Sequence, residues 1–165
     1  MNIILMDNVI KNPDAYVSTI LRNDFYDIQI GEQLFKGIQP RSNDDEFARF
    51  ATEYFPEFVV VYNFVRKSPI NQEEPNFIHS DEMMGDVTLI LYLNKVHPKE
   101  DGTTIYEEDG RIAMTAYSKY NRVFGFESNM KHSRNMYQNF GEGDDARLIQ
   151  VIFLKYIPNE EYERD

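Results

Sequence analysis

Asp86-Val87-Thr88-Leu89-Ile90-Leu91-Tyr92-Leu93-Asn94 is the stretch on which the fold turns. Val87, Leu89, Leu91 and Leu93 share one parity, and Thr88, Ile90 and Tyr92 share the other. Successive side chains of a strand point to opposite faces, so a strand here is apolar on both sides. That predicts a central strand, covered from above and below.

Similar patterns lie on either side of it. Upstream, residues 58–65 form a run of β-branched and aromatic side chains, and residues 67–76 form a loop with two prolines. Downstream, strands over 103–106 and 111–115 flank Glu107-Glu108-Asp109-Gly110, a hairpin with Asp-Gly at its tip. Further strands follow over 121–126 and 147–156, separated by the acidic loop Gly141-Glu142-Gly143-Asp144-Asp145. The N-terminal third reads differently. Residues 1–7 suggest a first strand, and Asn12-Pro13-Asp14 combines a capping side chain, a proline at the first helical position and an acid in the first turn. That helix should run to about residue 22. A second start at Ser42-Asn43-Asp44-Asp45 leads into residues 46–54, with Phe47, Phe50, Ala51 and Tyr54 on one face and Pro56 beyond. Two helices and then about eight short strands predict helices packed on a sandwich or small barrel. We expect one domain over residues 1–165, with helical support over 1–56 and a β core over 57–157.

Composition narrows the function classes. The chain has no cysteine, so disulfides and thiolate metal sites are excluded, and only three histidines can serve as imidazole ligands. A net charge of −11 disfavours a protein that grips nucleic acid through its phosphates. It suits solubility, or a neutral or basic substrate such as a basic peptide. No apolar run approaches a membrane span, and residues 1–7 lack a basic leader segment, so the cytoplasm is the expected location.

His79-Ser80-Asp81 is the candidate centre. On an extended segment the two outer side chains point the same way, and a distant His132 can complete a three-ligand set. Two imidazoles and one carboxylate on one side of a metal is the arrangement of non-haem Fe(II) oxygenases. The pair alone is weak evidence, because 28 acidic residues among 165 make an acid two places after a histidine a common coincidence. Read by itself, His132 also fits a surface position in a polar turn. Arg147 shares parity with Ile149, Val151 and Phe153, so its charge on an apolar face calls for a buried anion. Tyr92 needs a partner for its hydroxyl if it is buried.

Taken in order, the segments resemble the Fe(II)/2-oxoglutarate-dependent dioxygenases, most closely their prolyl-4-hydroxylase-like branch. The matching parts are Val59-Val60-Val61-Tyr62-Asn63, His79-Ser80-Asp81, Leu89-Ile90-Leu91-Tyr92-Leu93-Asn94, and Asp101-Gly102-Thr103-Thr104-Ile105-Tyr106. They continue with Tyr120-Asn121-Arg122-Val123-Phe124-Gly125-Phe126, then His132, then Arg147 and its strand, so that residues 58–156 are covered. The resemblance implies a mainly β fold with flanking α-helices, a double-stranded β-helix of the jelly-roll or cupin-like kind. It implies His79, Asp81 and His132 as iron ligands, with Arg147 and Tyr92 binding 2-oxoglutarate and O2 as the further co-substrate. It implies hydroxylation of a C–H bond in a peptide side chain or a small molecule, with release of succinate and CO2; the presence of Asp81 favours hydroxylation over halogenation. Two departures stand out. A Gly-Gly pair common in that family is Asp101-Gly102 here, and Arg147 lies further beyond the distal histidine than is usual, with Arg134 and Lys155 as alternative anchors.

Two other readings stay open on sequence: a non-catalytic cupin-like metal-binding or structural barrel, and a zinc hydrolase. Loops at 67–76, 82–86 and 134–145 are expected to frame the mouth, carrying Met83, Met84, Met136, Tyr137 and Phe140.

Overall fold

The computed structural model describes residues 2–73, 77–136 and 138–158. Along the chain lie β1 (Ile3–Met6), α1 (Pro13–Leu21), β2 (Tyr26–Ile30), β3 (Gln33–Pro40), α2 (Glu46–Tyr54) and β4 (Phe58–Ser68). Then come β5 (Val87–Tyr92), β6 (Gly102–Tyr106), β7 (Ile112–Tyr117), β8 (Arg122–Glu127), β9 (Lys131–Arg134) and β10 (Arg147–Tyr156). One sheet has the order β1-β8-β5-β10-β4-β3-β2 and the other β7-β6-β9. β5 sits between β8 and β10, the central place its two apolar faces demand.

From β4 onward the chain winds between the sheets. It leaves β4, pairs with the smaller sheet at His79, and returns as β5. It crosses to β6 and β7, returns as β8, crosses as β9 and returns as β10. This is the double-stranded β-helix, with antiparallel pairing throughout.

The parity along β5 separates two cores. Leu89 and Leu91 face outward, where Ile20 of α1 and Phe47, Ala48 and Ala51 of α2 cover them together with Leu148 and Ile152. Ile90 and Tyr92 face inward, joining Ile105, Phe124, Phe126, Ile149, Val151 and Phe153 between the sheets. Both helix caps are as read: Asn12 accepts the Ala15 N–H at 3.3 Å, and Asp45 accepts the Ala48 N–H at 2.8 Å. On α2 the buried stripe uses Ala48, whereas Tyr54 is 46% exposed, so the apolar face is rotated from the one expected.

Two strand regions differ from expectation. β2 and β3 form a hairpin between the helices and extend the larger sheet beyond β4, turning at Gly31 with φ +61. β9 is a true strand, so His132 is 5% exposed and not the surface residue of a polar turn.

The helices are bolted to the sheet by polar contacts around Asp45. Its Oδ2 accepts from Arg41 Nε at 3.1 Å and from Gln150 Nε2 at 2.9 Å. The Tyr16 hydroxyl lies 3.1 Å from the same oxygen and 2.6 Å from Gln150 Oε1. Gln150 is 0% exposed and also donates to Asn63 Oδ1 at 2.7 Å. Burial first, and then the charge of Asp45, raise the Tyr16 phenol above its ordinary pKa. Asp45→Ala removes a helix cap and takes one hydrogen-bond acceptor from each of Arg41 and Gln150. We expect it to lower unfolding stability by about 3–5 kcal/mol, read from denaturant melts. A loss below about 1 kcal/mol would mean that the cluster is solvated and carries little of the docking energy.

Candidate metal centre

The centre is built on a single isolated bridge. His79 donates its backbone N–H to the His132 carbonyl at 3.0 Å, and His132 donates to the His79 carbonyl at 2.8 Å. Residues exchanging both bonds in an antiparallel pair lie directly opposite, with side chains on one face. The two imidazole rings are accordingly 4.3 Å apart between centroids. Asp81 follows two residues on, fixed by its N–H on the Ser128 carbonyl at 2.7 Å. Its Oδ1 lies 3.5 Å from His79 Nε2 and its Oδ2 lies 2.9 Å from His132 Nε2. One ligand atom from each of the three residues lies within 4.8 Å of the others.

The rings are also oriented. His79 Nδ1 is 3.0 Å from the Phe77 carbonyl and His132 Nδ1 is 3.0 Å from the Met130 carbonyl. A carbonyl can only accept, so each Nδ1 carries a proton, and Nε2 of each ring is the atom directed at Asp81. Phe126 packs on His132 at 4.7 Å between ring centres, and Phe77 on His79 at 5.1 Å, so the rings have little freedom to turn. Two imidazoles and a carboxylate make a good set for a borderline divalent ion such as Fe(II) or Zn(II). The third histidine takes no part: His97 Nδ1 is 2.9 Å from the Pro98 carbonyl in the connection between β5 and β6.

Arg147 and Tyr92 lie on the same inner face. Register places Tyr92 directly opposite Ile149, two residues from Arg147. The Tyr92 hydroxyl is 2.7 Å from Thr103 Oγ1, and burial pushes its phenol up to about 12, so it stays protonated at neutral pH. Thr103 is two places along β6 from Ile105, which opposes His132. That puts the Tyr92–Thr103 contact about 7 Å along the strand from the histidines.

Arg147 is 3% exposed, and its buried anion is supplied by the chain itself. Nε donates to Asp101 Oδ1 at 3.2 Å, and Asp101 is 2% exposed. Asp101 is the residue that departs from Gly-Gly in the sequence. In sequence it read as part of the segment Asp101-Gly102-Thr103-Thr104-Ile105-Tyr106, and neither Asp101 nor Thr103 stood out as a site residue. The available signal was the inward parity of Arg147, which demands an acid somewhere in the chain. Gly102 next to it keeps φ +148, and a side chain there would run into the Ala116 carbonyl. Of the alternative anchors, Lys155 is exposed, whereas Arg134 opposes Thr103 on β9 and is half-buried. At the mouth, Met83 is 93% exposed and Met84 packs against the inner core, while Tyr137 lies outside the described residues. A cavity of about 410 Å³ lies beside Phe77 and Ile78, against Tyr106, Tyr117 and Ser133; its lining does not include His79, Asp81 or His132.

No protein-family model matches the sequence, and no curated protein matches it. Solved structures do share the fold. The non-haem α-ketoglutarate-dependent epimerase SnoN from nogalamycin biosynthesis superposes with TM-score 0.65 at 13% identity, over 94% of this chain and 80% of that one. A prolyl hydroxylase from Trichoplax adhaerens, in complex with a hypoxia inducible factor peptide fragment, gives 0.62 at 13%, over 99% and 86%. HygX from Streptomyces hygroscopicus, with nickel and 2-oxoglutarate bound, gives 0.61 at 12%, over 91% and 81%. Among the described residues, no helix is long and apolar enough to cross a membrane.

The buried pair makes a direct stability prediction. Arg147→Leu strands the Asp101 carboxylate in the interior and should cost about 3–5 kcal/mol in denaturant unfolding. A cost under about 1 kcal/mol would show that water reaches the pair.

Proposed function

We propose that this protein is an Fe(II)- and 2-oxoglutarate-dependent dioxygenase. The observation that carries the reading is the His79–Asp81–His132 cluster, with both Nε2 atoms turned toward one carboxylate inside a double-stranded β-helix. The solved structures of this fold support it, since one of them holds nickel and 2-oxoglutarate and another is a prolyl hydroxylase with its peptide. Bound iron, with 2-oxoglutarate and O2, supplies oxidation of a substrate C–H bond with release of succinate and CO2.

The chain's own residues supply the rest. His79, Asp81 and His132 would hold the metal through two imidazole nitrogens and a carboxylate. Arg147 and the protonated Tyr92 bind the distal carboxylate of 2-oxoglutarate, through a planar guanidinium fork and a phenolic hydroxyl. Ile90, Phe126 and Val151 wall this space and keep water from it. Hydroxylation is the outcome we assign, on a peptide side chain or a small molecule. Met83 and Phe77, both exposed beside the cluster, give that substrate an apolar surface to meet. A zinc hydrolase has no use for a buried guanidinium and phenol set back from the metal, so Arg147 and Tyr92 favour the dioxygenase reading.

Anaerobic addition of Fe(II) and 2-oxoglutarate should raise the weak visible band of the chelated complex and increase the melting temperature. Absence of both effects would sink the reading. His132→Ala should abolish the band, and if it survives unchanged, the ligand set is wrong. Arg147→Gln removes the anchor and also leaves the Asp101 carboxylate uncompensated beside the ligand, and together these should weaken 2-oxoglutarate binding to the metal-loaded protein by about 1.5–3 kcal/mol, measured by titration of the same band. An unchanged affinity would move the anchor to another residue.

A further inference from the structure

Resting on the proposed co-substrate site, we infer that Asp101 is a built-in counter-charge that sets how strongly the site holds a dicarboxylate. Three observations combine. Arg147 and Asp101 are both almost wholly buried, at 3% and 2% exposure, so their charges are little screened by solvent. The pair uses one edge of the guanidinium: Nε donates to Asp101 Oδ1, and neither Nη group makes a hydrogen bond to a described residue. The Tyr92 phenol next to Arg147 is also close to Asp101, whose charge helps to raise its pKa while that of Arg147 lowers it. Asp101 therefore acts electrostatically on the very groups assigned to the distal carboxylate.

Two consequences follow. Asp101 holds the guanidinium by Nε and leaves the Nη edge to face the ligand, which fixes orientation. It also cancels the charge of Arg147, so an incoming carboxylate meets a neutral pair, not a bare cation. Removing the negative charge of Asp101 strengthens anion binding whatever other charges lie nearby. The site as built should therefore distinguish poorly between 2-oxoglutarate and a 2-oxo acid without the second carboxylate. In this account Asp101 is a positioning and specificity-determining residue, acting through Arg147.

The test uses Asp101→Asn, which keeps an oxygen to accept from Arg147 Nε and removes the charge. Protein loaded with Ni(II) is titrated calorimetrically with 2-oxoglutarate and with 2-oxobutyrate. The variant should bind 2-oxoglutarate about tenfold or more tightly than the native protein, with 2-oxobutyrate changed much less. Without ligand it should melt at a lower temperature, because Arg147 is then uncompensated, and 2-oxoglutarate should raise that temperature more than it does for the native protein. Equal or weaker binding of 2-oxoglutarate by the variant overturns the inference. Should the variant fail to fold, the native protein decides alone: a preference for 2-oxoglutarate over 2-oxobutyrate below about tenfold supports the inference, and a larger one overturns it. Nickel binding without either 2-oxo acid binding, in native protein and variant alike, refutes the co-substrate reading and this inference with it. Failure of this inference alone shows instead as tight, Asp101-independent binding of 2-oxoglutarate.

Discussion

Two backbone hydrogen bonds between residues 79 and 132 are the constraint on which the rest depends. They add the segment around His79 to the edge of the smaller sheet at β9, and they set two imidazoles side by side facing inward. A register slip by one residue would turn either histidine to the outer face. The bridge is short, and its neighbours fix it. Asp81 is tied to Ser128, Ser128 donates back to Asp86, and β5 begins at Val87. The path from the candidate ligands into the central strand is thus held at each step by a backbone bond.

That central strand is also where the sequence was most legible. The double parity at residues 87–93 required covering layers on both sides, and the helices and the smaller sheet provide them. The helices were legible through their caps at Asn12 and Asp45, which act locally. The β2–β3 hairpin was not. Its strands are mostly exposed at the far edge of the sheet, so they carry neither a helical nor a clean two-residue apolar period. β9 escaped for a different reason. Lys131-His132-Ser133-Arg134 has no apolar residue, and a strand that presents polar side chains to the interior gives up the signal by which strands are recognised.

The candidate site shows the same division. His79 and Asp81 were legible because they are close in sequence and share parity. The place of His132 beside them came from the order of segments and not from local pattern. Arg147 was legible as a buried charge in want of an anion, but its partner lies 46 residues away in a connection rich in turns. Sequence reasoning supplied the demand for an acid, and only the three-dimensional pairing identifies Asp101 as the acid that meets it.

The interior can hold these groups because each is paired before any ligand arrives. A lone buried carboxylate or guanidinium would cost several kcal/mol against a net stability of about 5–15 kcal/mol. Asp101 offsets Arg147, Thr103 takes the Tyr92 hydroxyl, and backbone carbonyls take the Nδ1 hydrogens of both histidines. The polar seam thus runs through an otherwise apolar space between the sheets with its polar groups paired within the chain. The cost appears on binding, because a ligand must compete with contacts the chain already makes.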